Sequence, residues 1–219
     1  MDPAHLNLLQ AMEQTNSDTF IKLYSEMYPQ DLSQPKIHQN FQDIPGLWYI
    51  PKFLTEKEIA VVEALIKDTQ LKPITNTPHS RRVAHFGYEY SYDRSGTRPA
   101  DPIPEPLQSL VSKPKINNML GIHLLTQEFN QLIINEYKPN QQISYHTDHT
   151  TQFGSIIACL TVGTAVPIKF QLGATERTVE VGVGSLYIMT EDARYKWKHA
   201  LRNETDQIRY SLTYRTVMH

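Results

Sequence analysis

The 219-residue sequence predicts an α+β fold that is mainly β, with short strands arranged as a barrel or a two-sheet roll. The first observation behind this prediction is the spacing of glycine. Only Gly46 precedes residue 87, whereas the later glycines separate short apolar or alternating runs, which is typical of strands joined by turns. The second observation is a helical pattern confined to the first third of the chain. We therefore predict a strand-rich body with a few supporting helices.

The N-terminal region differs from the rest of the chain. Residues 1–40 are polar with a weak apolar stripe, and they predict a partly helical arm that is interrupted by Pro29 and Pro35. Residues 41–219 are predicted to form the main domain.

An amphipathic helix is predicted over residues 55–69. Thr55 and Glu58 are spaced as a capping box. The apolar residues that follow recur at helical intervals (Ile59, Val62, Leu65 and Ile66). We expect the apolar face of this helix to cover one side of a sheet.

Residues 81–92 alternate and predict an extended segment with four aromatic rings on one face: Phe86, Tyr88, Tyr90 and Tyr92. Four prolines between residues 99 and 106 predict a loop after it, followed by a short helix at 107–111. Seven strands are then predicted near 132–137, 143–146, 155–162, 167–172, 178–181, 185–189 and 209–217.

The charge of the chain is nearly balanced, since 21 Lys and Arg stand against 23 Asp and Glu, a net of −2. This argues against a strongly basic nucleic-acid binder and against a membrane-surface protein. The balance is uneven along the chain, however. Residues 71–100 carry five basic and two acidic side chains, so one local basic stretch is present.

Composition also limits the compartment. The single cysteine, Cys159, excludes a disulfide framework and a cysteine zinc site. No apolar run approaches the roughly 20 residues that span a bilayer, and the N-terminus has no basic signal region. We expect a monomer in the cytoplasm or nucleus that does not bind membranes.

The strongest chemical pattern is His146-Thr147-Asp148. In a strand, residues two apart point to the same face, so the imidazole and the carboxylate converge. His199 offers a third ligand from a later strand end, and two histidines with one carboxylate form the facial set of non-haem Fe(II) oxygenases. His149 is a rival ligand, and either histidine of this set could instead be hydrogen-bonded in a core.

The final strand presents Arg209, Ser211, Thr213 and Arg215 on one face. Buried guanidinium groups need a counter-charge, which a dicarboxylate would supply through a bidentate arginine contact. Because six residues of strand span about 20 Å, the two arginines cannot share one role, and one must reach towards the metal or Asp148. Asn135 and Tyr137 share a strand face and offer further donors. The alternative for the polar residues of the final strand is that they simply face solvent. The alternative for Asn135 and Tyr137 is a half-buried edge strand.

The order of these elements resembles one family, the AlkB-like Fe(II)- and 2-oxoglutarate-dependent dioxygenases. The resemblance runs from about residue 44 to 217 and rests on Asn-x-Tyr, His-x-Asp, a distal His and Arg-x-Ser-x-Thr-x-Arg in that order. In this sequence Ser211 stands at a position of the final strand where the family has Asn. The resemblance implies a double-stranded β-helix, or jelly roll, with supporting helices on one face. It implies Fe(II) on His146, Asp148 and His199, and 2-oxoglutarate held by Arg209, Tyr137 and Ser211, with Asn135 and Arg215 towards the metal.

The activity that the resemblance implies is oxidation of a substrate C–H bond by O2, with release of succinate and carbon dioxide. In this family a nucleotide-recognition lid precedes the barrel, here at about 79–98, which is also the basic stretch. Aromatic rings stack on bases that are single-stranded or flipped from a duplex, and arginines contact phosphate. The substrate-binding residues expected on this basis are Arg81, Arg82, Tyr88, Tyr90, Tyr92 and Thr150.

Several substrates stay open. Demethylation or hydroxylation of a modified base in DNA or RNA is the first hypothesis. Alkylation-repair members carry an acidic residue shortly after the metal carboxylate, whereas this chain has His149, Thr150 and Thr151. The segment from Arg81 to Tyr88 looks closer to the branch that hydroxylates wobble uridines in tRNA, although this chain lacks that branch's RNA-recognition and methyltransferase domains. A protein or small-molecule hydroxylase and a non-catalytic binding module are two further hypotheses for the same fold.

Overall fold

The computed structural model describes residues 36–77, 80–92 and 96–218. The predicted arm therefore lies outside the described residues, except for 36–40. Fourteen strands are described: β1 His38–Gln39, β2 Leu47–Ile50, β3 Lys72–Pro73, β4 Arg82–Phe86, β5 Tyr88–Ser91, β6 Gly96–Pro99, β7 Gln131–Tyr137, β8 Gln142–His146, β9 Ile157–Val162, β10 Ile168–Leu172, β11 Thr175–Val179, β12 Leu186–Met189, β13 Lys198–Arg202 and β14 Arg209–Arg215. The helices are α1 Glu56–Asp68, α2 Glu105–Leu110, α3 Lys113–Leu120 and α4 Glu191–Tyr195, with a 3-10 turn at Phe41–Asp43.

These strands form two main sheets and a hairpin. The large sheet has the order β1-β2-β12-β9-β14-β7-β4-β3, the small sheet has the order β11-β10-β13-β8, and β5 pairs with β6. The pairings are antiparallel, so the strands of each sheet alternate in direction. Because β1 pairs with β2 at His38 and Gln39, the sheet begins slightly before the predicted start of the main domain at residue 41.

The large sheet is buried on both faces, and alternate residues of its strands enter two different cores. On one face Trp48, Leu160 and Leu212 pack against the helices, with Val62 and Ile66 of α1 in the same cluster. On the other face Tyr49, Cys159 and Tyr187 pack with residues of the small sheet. This double burial explains the almost continuous apolar sequence of β9 and β12. The second core lies between the sheets, next to the candidate site.

The first predicted helix is confirmed within one residue at each end. The Thr55 side chain accepts from the Glu58 amide, and the Glu58 carboxylate accepts from the Thr55 amide at 2.8 Å, which completes the capping box. The short helix expected at 107–111 is α2. Helices α3 and α4 were not predicted, and α4 is only five residues long, which is too short for a periodic signal. Among the described residues, no helix is both long and apolar enough to cross a membrane.

The predicted common face of four aromatic residues in 81–92 is wrong. Gly87 adopts a positive φ of 73° and separates β4 from β5, and its amide and carbonyl pair with Asp101 and Ala100. The two strands therefore belong to different sheets. Phe86 packs against the core on the helix side, whereas Tyr90 and Tyr92 line the cavity described below.

The later strands follow the predicted order with small shifts. The strand expected at 178–181 is β11 at Thr175–Val179, because it forms a tight hairpin with β10 around Gly173. Sequence patterns did not predict β2. They placed His199 at a strand end without giving bounds for that strand, which is β13. The predicted proline loop also begins later than expected, since Gly96–Pro99 forms β6. Pro99 is an edge residue there, where a missing N–H is tolerated.

Candidate metal centre and its cavity

Three side chains come together at the edge of the small sheet. His146 ends β8, Asp148 follows it, and His199 lies opposite His146 in β13. One ligand atom from each residue lies within 4.8 Å of the others. The two imidazole centroids are 4.3 Å apart, and the Nε2 atom of His199 is 3.6 Å from Oδ2 of Asp148. Strand alternation and cross-strand register thus assemble the group that the sequence predicted.

The electrostatics of this group suit a divalent cation. Burial lowers the pKa of His199 to about 3, so its imidazole is neutral and has a free lone pair. Burial raises the pKa of Asp148, but Arg215, the two histidines and Arg194 outweigh it and bring the pKa to about 2. Asp148 and His199 are therefore unprotonated at neutral pH, as metal binding requires. A two-histidine, one-carboxylate donor set fits Fe(II).

His149, the rival ligand, is engaged elsewhere. Its Nδ1 atom faces the Gln152 amide at 3.2 Å and the Thr151 hydroxyl at 3.3 Å. The side chain lines the cavity but does not belong to the three-ligand group found among the described residues. Its contacts stabilise a turn after Asp148.

The two arginines of β14 lie on one face and have separate surroundings. Arg215 donates from Nη1 to Oδ1 of Asp148 at 2.5 Å, and its guanidinium carbon lies 3.9 Å from the centre of the Phe153 ring. Arg209 is fully buried and donates from Nη2 to the Thr161 hydroxyl at 3.2 Å. Its Nε and Nη1 atoms have no partner within the described part of the chain. A buried cation with unsatisfied donors fits a carboxylate ligand, because such groups are costly when left unpaired.

Polar groups from β7 and β14 lie beside these arginines. Tyr137, Asn135 and Ser211 line the cavity. Burial raises the pKa of Tyr137, so its phenol stays neutral and can donate, and its ring centre lies 5.8 Å from the Arg209 guanidinium. The Oδ1 atom of Asn135 accepts from Nε of Arg81 at 3.3 Å, which leaves the Asn135 amide nitrogen available as a donor.

The residues predicted to bind substrate separate into two groups. Arg81, Tyr90 and Tyr92 line the cavity. Tyr88 and Thr150 are not among the described residues that line it, and Thr150 lines a second pocket, to which Phe153 also contributes.

Arg82 also departs from the prediction, since its guanidinium makes a two-pronged ion pair with the buried Glu136, at 2.6 and 2.8 Å. Neighbouring residues of an extended chain point to opposite sides. Arg81 and Arg82 therefore cannot both face the substrate.

Two further residues of the site were missed by sequence reasoning. Phe153 lines the cavity and lies beside Tyr90, with ring centres 5.5 Å apart. Arg194 is 2% exposed and binds the loop that follows Asp148. Phe153 lies in a loop without periodicity, so no local pattern marked it. The signal for Arg194 is an arginine beside Ala193 and Trp197, both apolar and buried.

Comparisons with known proteins agree with this geometry. The model of the 2OG-Fe(II) oxygenase superfamily matches residues 22–215. Among curated proteins, the chain is 30% identical over 162 residues to a tRNA (carboxymethyluridine(34)-5-O)-methyltransferase ALKBH8 of Mus musculus, and 28% identical over 159 residues to that of Xenopus tropicalis. These alignments cover 72% of this chain but 24% and 25% of the relatives, so the chain spans about a quarter of their length.

Two solved structures have the same fold. One, described as the structure of OsALKBH1, has a TM-score of 0.62 at 13% identity and covers 78% of this chain and 97% of its own. A 2OG-Fe(II) oxygenase family protein of Burkholderia pseudomallei has a TM-score of 0.60 at 17% identity, covering 80% and 86%. These likenesses confirm the predicted double-stranded β-helix with helices on one face.

Proposed function

The chain belongs to the 2OG-Fe(II) oxygenase superfamily, and from this premise we propose that it oxidises a C–H bond of a modified base in DNA or RNA. Fe(II), 2-oxoglutarate and O2 are its cofactors. The observation that carries the proposal is one cavity that contains a three-ligand metal group and an aromatic wall with an arginine. Reactive centre and base-recognition surface thus open onto the same space.

His146, Asp148 and His199 would hold the iron, which fits their chemistry and mutual distances. The unsatisfied donors of Arg209 would bind the far carboxylate of 2-oxoglutarate, with Tyr137 and Ser211 donating beside it. When bound, iron together with 2-oxoglutarate and O2 supplies the oxidation of a C–H bond to C–OH, with release of succinate and carbon dioxide. An N-methyl carbon oxidised in this way is lost as formaldehyde, whereas another carbon keeps its hydroxyl.

The protein's own residues orient these groups. Arg215 fixes the Asp148 carboxylate and keeps it ionised. Arg81 turns the Asn135 carbonyl oxygen towards itself, so the amide nitrogen of Asn135 can donate to the near end of 2-oxoglutarate. Each of these contacts exists before any ligand binds, which lowers the cost of ordering the site.

The cavity wall supports a planar base as the substrate. Tyr90 and Tyr92 of the β5–β6 hairpin lie edge to face, 5.4 Å apart, and the Arg81 guanidinium lies 5.9 Å from the Tyr92 ring centre. Arg81 makes no ion pair with a carboxylate of the described residues, so its charge can meet a phosphate or another anion of the nucleic acid. Stacking plus one cation suits a single-stranded or flipped nucleotide.

Transfer RNA is the nucleic acid that we favour, because the ALKBH8 relatives are named for an activity on tRNA uridine 34. That name describes a methyltransferase of which this chain spans about a quarter, so hydroxylation of a wobble uridine by this chain is a proposal. A protein hydroxylase is the competing function, since a prolyl-4-hydroxylase of Pseudomonas putida has a related fold with a TM-score of 0.54.

The test is turnover with defined substrates. The purified chain, Fe(II), 2-oxoglutarate and ascorbate are incubated with tRNA and with DNA and RNA oligonucleotides that carry methylated or carboxymethylated bases, and digested nucleosides are analysed by mass spectrometry. We expect one nucleoside to gain an oxygen or lose a methyl group in step with succinate release. Succinate release stimulated only by peptides would overturn the nucleic-acid proposal in favour of a protein hydroxylase.

A further inference from the structure

Arg194 is buried in the core of the domain without a carboxylate partner among the described residues. Its side chain is 2% exposed, and no carboxylate in that part of the chain lies within ion-pair distance of it. Burial lowers the pKa of this guanidinium. A buried arginine without a counter-ion is costly unless its donors are otherwise satisfied. The residue must therefore be stabilised by neutral acceptors.

Those acceptors are four backbone carbonyls of a single loop. Arg194 donates from Nη1 to the Asp148 carbonyl at 3.0 Å and from Nη2 to the carbonyls of His149 at 3.0 Å and Phe153 at 3.2 Å. Its Nε atom donates to the Gly154 carbonyl at 3.1 Å. All three nitrogens of the guanidinium thus bind the connection between β8 and β9.

The helix that carries Arg194 is fixed independently of this loop. The amide and hydroxyl of Thr190, at the start of α4, both donate to the Gly46 carbonyl at 2.9 Å, and the Ala193 amide donates to the Pro45 carbonyl. Both acceptors lie just before β2, which is a strand of the large sheet. Arg194 therefore connects the loop to a well-anchored part of the fold.

The loop itself carries two parts of the candidate site. Its first residues include Asp148, and Phe153 further along forms the cavity wall between Arg215 and Tyr90. Arg215 holds the Asp148 side chain while Arg194 holds the Asp148 backbone. Without Arg194, four carbonyls lose their donor, and the loop then depends on the bridge between Phe153 and Val217 and on the contact of Asp148 with Arg215.

We propose that Arg194 is a positioning residue that sets Asp148 for metal binding and Phe153 for substrate binding through the backbone of residues 148–154. This inference rests on the metal site of the proposed function. A guanidinium is required because its planar array of donors reaches four carbonyls, whereas lysine has all its donors on one atom.

The first test measures Co(II) affinity by the visible absorption of the titrated full chain. We expect Arg194→Lys to raise the Kd for Co(II) about 10- to 100-fold, the range for residues that orient metal ligands, and to alter the Co(II) spectrum. The matched control is Arg202→Lys, since Arg202 is exposed on β13 and its one ion pair within the described chain, to Glu204, is long at 4.0 Å. Unchanged Co(II) affinity and spectrum in a folded Arg194→Lys protein would overturn the proposal.

The second test compares hydrogen exchange of the metal-free wild-type chain with that of the metal-free Arg194→Gln variant. The amides of Gln152, Phe153 and Gly154 donate to His149 and Thr216, so the effect of Arg194 is read from the difference between the two proteins. We expect these amides to exchange faster in Arg194→Gln, while the amides of β9 keep their wild-type rates as the control for folding. Equal exchange of the loop in a folded Arg194→Gln protein contradicts the proposal. Absence of Co(II) binding by the wild type would count against the proposed function, while the exchange of the metal-free proteins still decides the role of Arg194.

Discussion

At the scale of single residues, the candidate site depends on which of two nearby histidines joins Asp148 and His199 in the three-ligand group. His146 and His149 are three positions apart, and both line the cavity. Only His146 shares the register of β8 and β13 with His199, whereas His149 lies in a turn that uses its Nδ1 atom as an acceptor. The chemistry of the side chains alone did not distinguish the two histidines as candidate ligands, whereas their positions in the fold do.

This difference predicts opposite outcomes for two alanine variants. His146→Ala removes one of the three proposed ligands, so succinate formation should fall by more than the roughly 10- to 100-fold that loss of an outer-shell partner of a ligand costs. His149→Ala removes only the turn contacts and should keep Co(II) binding. Succinate is measured by NMR and Co(II) by absorption. Persistent turnover in His146→Ala would refute the ligand assignment.

A second prediction concerns Arg209. Replacing it with methionine removes a buried cation with two nitrogens that have no partner within the described chain. Unlike Arg215, this cation makes no ion pair with a carboxylate of the described residues. We therefore expect the KM for 2-oxoglutarate to rise about 10- to 100-fold, equivalent to one charge-assisted contact. The measurement is succinate release against 2-oxoglutarate concentration. Arg202→Met is the control on an exposed arginine, and an unchanged KM in Arg209→Met would exclude Arg209 as the carboxylate site.

At the scale of elements, the segment around β4 reverses its function from one residue to the next. Arg81, just before the strand, enters the cavity, and Arg82, its first residue, binds Glu136 on the other side. Beyond the strand, Gly87 turns the chain so that Tyr90 and Tyr92 return to the cavity. The basic stretch seen in the sequence is therefore only partly a substrate surface.

We predict that the two arginines have separable effects. Arg81→Gln should weaken binding of single-stranded nucleic acid about tenfold, the low end for a charge-assisted contact, and should reduce the salt dependence of that binding. Arg82→Gln should leave nucleic-acid binding unchanged but remove the counter-charge of the buried Glu136. The free energy of unfolding should then fall by about 1–3 kcal/mol, less than for a fully buried ion pair because Arg82 is partly exposed. Binding is followed by fluorescence anisotropy at several salt concentrations, and stability by urea denaturation. The reverse assignment of effects would mean that the cavity is not the nucleic-acid site.

At the scale of the whole molecule, the two sheets contribute different parts of the site. The candidate ligands His146 and His199 come from the small sheet, whereas Arg209, Asn135 and Tyr137 come from the large sheet. The cavity lies between them, next to the apolar core that joins the sheets. A ligand pair that contacts both sheets should therefore stabilise the entire fold.

Thermal unfolding tests this arrangement. With Co(II) at about 100 times its Kd, binding adds about 2.7 kcal/mol, which for a domain of this size raises Tm by about 5–10 °C. Adding 2-oxoglutarate to the Co(II) protein should raise Tm further, and chelation should reverse both shifts. Equal Tm values with and without both ligands would contradict a site between the sheets.

Much of the fold and site followed from local patterns. Strand alternation placed His146 with Asp148 and the two arginines of β14 on one face, and the capping box located α1, because these signals depend only on residues close in sequence. The spacing of the two arginines also predicted that they have different roles. What local patterns could not supply were the short elements, such as β2, β13 and α4, whose formation depends on partners far along the chain.

Local sequence was sufficient to predict the chemical groups of the candidate site and the kind of fold that holds them. These are a two-histidine, one-carboxylate donor set, a strand with arginines at both ends, and a roll of short strands. The folded chain then selected which candidates face the cavity. It excluded Arg82 from the cavity lining, turned the chain at Gly87 and brought Phe153 and Arg194 to the loop after Asp148. Sequence could not make this selection because side-chain direction is periodic only within one strand, whereas bends, ion pairs and loop contacts are set by residues that are distant in sequence.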